Sequence, residues 1–422
     1  MRNVFQQYEE SENKLTHALV CSLGEDRRLL RRFVRRFTGR TAPSGPLKIV
    51  EQQRPGEEVR REEETSGIPD AWIYTDDGWA LLIESKVTAP LKVSQLRRHL
   101  ATAAHRGFRN ATLLAITARD EAADLGREIR LYPWTDVYEW LIREATGSQW
   151  AKRCMEYIEI LESNLIDNGG LKEGGLTRFS GIPFNQENLY SYLEAKRLLK
   201  LAMEALRENA KLKRQLRMDP GAPGRGAITG SSGAGVWDFL RLKDAKRAEV
   251  FTQYPHLTLA IEHDRLLAIV TIPNGVRTAL RRRLVDLGHQ GFSSLLSEVN
   301  GRLLKALQGD RGAAPMLIVV QRRYQTQRSA AILDAKLEFD LRTADSKTQK
   351  HGKGYVKPQP QWLGATYDAL AKKRSNLQLS IGASFSFANS SSVHDWHVID
   401  RIVNTWIACR PLLQAMGLKM PK

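Results

Sequence analysis

Cysteine is scarce: 422 residues hold three, Cys21, Cys154 and Cys409. They are odd in number and far apart, so their spacing supports neither a disulfide framework nor a zinc site and fits a reducing compartment. No apolar run approaches the ~20 residues that a membrane span needs. The opening residues, Met1-Arg2-Asn3-Val4-Phe5-Gln6-Gln7, lack a signal-peptide core, and a cytoplasmic protein with no membrane partner is expected. No repeat of fixed period is found. The glycines at 221, 224, 226, 230, 233 and 235 are not followed by Gly-Lys-Ser/Thr, so they read as a flexible linker and not as a phosphate-binding loop.

The first 150 residues also lack excess charge, with 23 Lys and Arg against 22 Asp and Glu. The remainder carries 41 against 25 and so holds nearly all of the net charge of +17. A basic chain of this size commonly meets a polyanion, and nucleic acid is the usual one. A merely solubilising surface charge is the plainer reading.

Core-forming material is ample, at 42% hydrophobic residues. Turn-rich, apolar-poor stretches at 167–175, 219–235 and 344–361 divide the chain. The expected organisation is an α/β domain over 1–147, a helical connector over 148–218, a linker over 219–235 and a basic α+β domain over 236–422. In the first block, helices are expected over 9–21 (stopped by Gly24), 27–37, 93–105 and 134–144. Strands are expected over 47–50, 68–75, 79–87, 111–117 and 129–132. A short sheet with helices on both sides makes an α/β/α sandwich. Residues 149–165 and 186–218 read as helices. In the last block 331–343 alternates apolar and polar as a strand with one dry face, and 377–387 repeats the pattern with small polar residues. Further strands are expected over 257–261, 266–272 and 316–321, and helices over 276–287, 292–307 and 393–416. Nothing catalytic is read in this block.

The chemistry lies in residues 67–87, which read as a hairpin. Asp76-Asp77-Gly78 supplies a three-residue loop with Gly78 at the left-handed position. Thr75 then faces Trp79, and Asp70 falls opposite Glu84. Strand alternation points Glu84 and Lys86 the same way and Ser85 the other. Two carboxylates about 5 Å apart, with an ammonium beside them, share one face. Such a pair suits a hard cation such as Mg²⁺, which polarises a phosphodiester and acidifies a bound water. Lys86 is placed to position or deprotonate that water, or to stabilise charge on the phosphate. The apolar run Trp79-Ala80-Leu81-Leu82-Ile83 marks a strand buried on both faces, and charges ending such a strand are costly without a purpose.

Pro69-Asp70, thirteen residues, then Glu84-Ser85-Lys86 resembles the signature of the PD-(D/E)XK nuclease superfamily, and Pro69-Asp70 is the only Pro-Asp in the chain. The resemblance implies a restriction-endonuclease-like fold over roughly residues 8–145. It further implies metal binding by Asp70, Glu84 and the Ser85 carbonyl, and a catalytic Lys86. Two flanking features are similar to the family as well. Glu12, in Glu12-Asn13-Lys14-Leu15-Thr16, matches an acidic first helix whose Glu joins or flanks the metal site. Gln95 opens the helix after the Lys strand, although His99 stands where some subfamilies have Tyr. The implied function is a Mg²⁺-dependent endodeoxyribonuclease (Mn²⁺ substituting) in a restriction or anti-phage setting. Its partners would be DNA, other defence-system subunits or further copies of the chain. A catalytically silent nucleic-acid-binding or assembly subunit and an RNA-directed nuclease stay open.

Weaker signals accompany this pattern. Arg28, Arg31, Arg32 and Arg35 lie on one side of an amphipathic helix, where they suit either a phosphate backbone or plain solvent. Lys213 and Arg214 sit in a basic helical run, and Arg281-Arg282-Arg283 forms another. His394 and His397 read as capping and packing residues, because no further metal-ligand motif accompanies them.

Overall fold

The computed structural model describes residues 5, 8–56, 68–119, 125–171, 174–221, 235–245, 251–326, 329, 331–345, 349–351, 354–372 and 376–421. The chain divides into two compact units, Met1–Arg178 and Phe179–Lys422.

The first unit is built on a five-stranded mixed sheet. Its strands are β1 (Lys48–Glu51), β2 (Ala71–Tyr74), β3 (Trp79–Lys86), β4 (Asn110–Thr117) and β5 (Ile129–Pro133), side by side in that order. β1, β2 and β3 pair antiparallel, and β3, β4 and β5 pair parallel. Helices α1 (Ser11–Glu25), α2 (Arg27–Thr38), α4 (Trp134–Glu144) and α5 (Gln149–Asp167) pack with Ile73, Leu81, Ile83, Leu114 and Ile116 on one face. Helix α3 (Val93–His105) lays Leu96 and Ala103 against Trp72, Leu82, Leu113 and Ala115 on the other. This is an α/β/α arrangement. Leu81, Leu82 and Ile83 are all fully buried, as a continuous apolar strand between two helical layers must be.

Local chemistry sets the element ends. α1 runs through Gly24 to Glu25. Asp26 then breaks it by capping α2 through the N–H groups of Arg28 and Leu29, offsetting two of the donors that a helix start leaves unpaired. Gly39, left-handed at φ 70°, closes α2.

Residues 148–178 correct the expected connector. The Ser148 hydroxyl caps α5 through Ala151 N–H and donates to Asp26 Oδ2 at 2.6 Å. Cys154, Ile158, Leu161, Leu171 and Leu176 complete the first unit's core. Buried Glu162 accepts the N–H groups of Leu176 and Thr177 at 2.6 and 3.1 Å. The segment is therefore part of the first unit, because its apolar stripe has a face there to cover.

The second unit carries a six-stranded antiparallel sheet in the order β10-β9-β13-β8-β7-β6. The strands are β6 (Gly235–Leu240), β7 (His256–Glu262), β8 (Arg265–Ile272), β9 (Ala313–Tyr324), β10 (Ala331–Asp340) and β13 (Leu377–Ser386). β11 (Gln349–His351) and β12 (Gly354–Val356) form a separate ribbon. Helices α6 (Tyr192–Glu208), α7 (Ala210–Gln215), α8 (Thr278–Val285), α9 (Gly288–Ala306), α10 (Gln361–Ala371), α11 (Val398–Ala408) and α12 (Arg410–Ala415) share one core with one face of this sheet. The opposite face carries a smaller cluster of Leu267, Ile269, Met316, Ile318 and Val320.

The expected helix over 186–218 thus begins at Tyr192, breaks at Asn209, and belongs to this unit. The expected helix over 393–416 is two helices and a preceding 3-10 turn. Ala335, expected on the dry face of its strand, is exposed beside a register shift between Leu333 and Ala335. Of the expected linker, residues 222–234 lie outside the described residues, and Gly235 already opens β6.

Candidate active site

The hairpin places the site. Thr75 N–H bonds Trp79 O across the Asp76-Asp77-Gly78 turn, and Gly78 sits at φ 88°, as the three-residue loop requires. A Cβ there would stand 3.1 Å from Gly107 O, a tight approach that adds to the cost of a side chain at this left-handed position. The register pairs Ala71 with Ile83, which brings Asp70, one residue earlier, beside Glu84 at the end of β3. The Ser85 N–H donates to Asp70 Oδ2 at 2.7 Å.

Glu84 is 1% exposed and heavily engaged. Its Oε1 lies 2.7 Å from Lys86 Nζ and accepts from Gln95 Nε2 at 2.7 Å. Its Oε2 lies 3.2 Å from His99 Nε2. Gln95 and His99 are one turn apart on α3, which points both at the strand end. Glu12 reaches from α1. Its Oε1 accepts the N–H groups of Val87, Thr88 and Ala89 at 2.9, 3.2 and 3.2 Å, and its Oε2 is 3.9 Å from Lys86 Nζ. Only Oε2 is therefore placed to serve anything else. The Ser85 side chain faces the opposite layer and accepts from Trp134 Nε1 at 3.2 Å. Ser85 contributes to the site through its backbone alone.

A polar cleft of about 200 Å³ opens over the group, lined among others by Asn13, Gln52, Asp70, Glu84, Lys86 and Gln95. Gln52 holds a left-handed conformation at φ 50°, an uncommon and strained state for a residue with a side chain. Its N–H bonds Asp70 O and its Nε2 donates to Asn13 Oδ1 at 2.8 Å.

The electrostatics separate the two acids. Burial, and then the Glu84 charge, push Asp70 up to about 7. Burial also acts to raise Glu84, but the contacts from His99 and Lys86 outweigh it and hold that carboxyl below its ordinary range. Lys86 is held above its ordinary value: burial acts downward, and the Glu84 hydrogen bond and charge outweigh it. The ammonium is therefore retained. The result is a desolvated carboxyl beside an ionised one, an arrangement that a cation would relieve. Asp70, Glu84 and the Ser85 carbonyl offer oxygen donors of the kind a hard divalent ion takes.

All five expected side chains, Glu12, Asp70, Glu84, Lys86 and Gln95, meet here. His99 and Gln52 are additions. His99 was legible only as the residue four on from Gln95, whereas a glutamine at positive φ leaves no sequence signal. The α2 arginines separate by partner. Arg31 donates to the carbonyls of Pro43, Ser44 and Gly45 at 2.6, 3.2 and 2.9 Å, and Arg32 pairs with Glu144 at 2.9 Å. Arg28 and Arg35 are exposed. Lys213 and Arg214 lie in the last turn of α7, in the second unit. His394 is a packing residue, its ring nitrogens 2.9 and 3.0 Å from the carbonyls of Ile182 and Phe387. The backbone N–H of His397 bonds Asp395 Oδ1 at 2.6 Å.

No family model matches the chain, and no curated protein or solved structure matches it significantly.

Proposed function

We propose that the first unit is a divalent-metal-dependent nuclease of the PD-(D/E)XK kind, with the restriction-endonuclease-like arrangement of the sheet, and that it cuts DNA. The observation that carries this reading is the convergence of Asp70, Glu84 and Lys86 on one face at the end of a buried strand. Lys86 Nζ lies 2.7 Å from the carboxylate that it would have to share with a metal.

Asp70, Glu84 and the Ser85 carbonyl would hold Mg²⁺ or Mn²⁺, which supplies Lewis-acid polarisation of the phosphodiester and a more acidic water. Lys86, held protonated by Glu84 in the metal-free site, would stabilise negative charge building on the phosphate and orient the attacking water. Gln95 and His99 fix the Glu84 carboxylate. Glu12 fixes the backbone that follows Lys86. DNA would be held in part by the exposed Arg28 and Arg35 and by the basic residues that follow position 150, since the first 150 residues are nearly neutral.

A second reading is favoured by the crowding of Glu84, whose Oε1 already takes two donors: a nucleic-acid-binding subunit that does not cut. Incubation of plasmid with the full chain and Mg²⁺ or Mn²⁺, beside Asp70→Ala and Lys86→Ala, separates the two. The nuclease reading expects cleavage that both substitutions abolish. Salt-dependent DNA binding without cutting under either ion supports the silent subunit, and cleavage that persists in both variants removes the site assignment. Competition between DNA and RNA tests the choice of substrate.

A further inference from the structure

A second cluster of potential ligands lies in the first unit, apart from the acid pair. His17 and Cys21 are four residues apart on α1 and so share a face, and Glu51 ends β1 opposite them. His17 Nδ1 lies 2.7 Å from Glu51 Oε2. Cys21 Sγ lies 3.6 Å from the His17 ring nitrogens and 3.9 Å from Glu51 Oε1. One ligand atom from each residue falls within 4.8 Å of the others. His17 is 4% exposed. Phe5 and Tyr8 set their rings against it, and the Tyr8 hydroxyl is 3.4 Å from Glu51 Oε2.

We propose that His17, Cys21 and Glu51 form a zinc site with a fourth position left for water. An imidazole, a thiolate and a carboxylate are the donor set that Zn²⁺ takes in tetrahedral sites. Bonds of about 2.0–2.3 Å to a tetrahedral Zn²⁺ place sulfur about 3.5 Å from its nitrogen and oxygen neighbours. The sulfur distances of 3.6 and 3.9 Å are near that value. The His17–Glu51 contact has to open by about 0.6–0.7 Å, and the imidazole and the carboxylate have to turn, because Sγ is equidistant from both ring nitrogens and meets Oε1, whereas Nδ1 meets Oε2. Binding replaces the thiol proton of Cys21, which is released to solvent. Cysteine spacing gave no hint of this site, because two of its three ligands are not cysteine and one comes from a distant strand.

The site is independent of the nuclease reading. It would clip α1, which carries Glu12 and Asn13, to the end of β1, where Gln52 begins the path to Asp70.

The test is titration of the chelator-stripped full chain, under reducing conditions, with Co²⁺. One equivalent is expected to give tetrahedral ligand-field bands and a thiolate-to-cobalt charge-transfer band, both bleached by Zn²⁺. Cys21→Ser is expected to abolish the charge-transfer band, and His17→Gln and Glu51→Gln to weaken binding by about tenfold or more. Asp70→Asn is expected to leave the band intact, which separates this site from the acid pair. Absence of the band, or its survival in Cys21→Ser, overturns the proposal. Thermal unfolding gives a second measure: Zn²⁺ should raise the wild-type midpoint but not that of Glu51→Gln, and equal shifts in both count against the site.

Discussion

The N–H of Ser85 holds the carboxylate of Asp70 at 2.7 Å, so the central residue of Glu84-Ser85-Lys86 positions one acid with its backbone while its neighbours present the other acid and the ammonium. The hairpin register is thus also the geometry of the site. A slip of one residue would turn Glu84 and Lys86 to the opposite face.

Asp70 makes the stability of the metal-free protein depend on pH. Its acid titrates near 3.8 in the unfolded chain and at about 7 in the fold. Between those values the folded state binds a proton that the unfolded state lacks, so stability falls as pH rises and the loss is complete above about 7. Asp70→Asn, similar in shape and uncharged, should unfold at a higher temperature than wild type near pH 8, with the difference closing toward pH 4. Each kcal/mol is worth about 2–4 °C for a unit of this size. Scanning calorimetry across pH checks this, and a variant no more stable than wild type near pH 8 contradicts it.

His99 supports Glu84 from within the core. Replacing it by alanine takes a partner from a buried carboxylate, at a cost of about 1–3 kcal/mol. On the proposed nuclease reading, cleavage should fall by at least about tenfold through misplacement of Glu84. Urea titration and single-turnover cleavage read the two effects. Cleavage at the wild-type rate would show that Lys86 and Gln95 suffice to orient the acid.

Gln52 offers a trade of stability against activity. Glycine accepts φ 50° without the strain of a Cβ, a relief of about 1 kcal/mol, but it loses the amide contact to Asn13. Gln52→Gly should therefore be as stable as wild type or more so, yet, on the proposed nuclease reading, slower in cleavage. Loss of both properties together would give Gln52 a purely structural role.

The second unit has its own acid sensitivity. Burial first holds His256 down to about 4 from 6.5, and the nearby Arg241 charge adds to this. As pH falls through that window the unfolded chain takes up a proton that the fold refuses, so stability is lost from 6.5 downward. The loss approaches about 3 kcal/mol near pH 4. His256→Asn should flatten the urea midpoint of the second unit between these limits, and an unchanged acid slope would move the cause elsewhere.

Much of the first unit was legible because its signals are local. Asp76-Asp77-Gly78 announces a turn and hence a register. The apolar period of Val93–His105 and Trp134–Glu144 marks both helices to the residue. What escaped depends on contacts distant in sequence. The attachment of α5 needs Glu162 to meet the N–H groups of Leu176 and Thr177. The insertion of β13 between β8 and β9 needs Gly382, where a Cβ would stand 2.1 Å from Ala268 O. In sequence, the small residues Ser380, Gly382 and Ser384 mark a strand but not its place; the missing Cβ of Gly382 is what admits it to the middle of the sheet. α10 and β6 were missed because glycine, serine and proline around them mask short apolar periods.

The parallel pairing of β3 with β4 has a further consequence. Lys86 and Thr117 end their strands side by side, and the Ala118 N–H ties to Lys86 O. The turns that leave both strands therefore emerge on the same rim, next to the acid pair. The first residues of each turn are themselves held, Val87, Thr88 and Ala89 by Glu12 and Ala118 by Lys86 and Gly175. Residues at this rim can therefore change what meets the acid pair without entering the sheet itself.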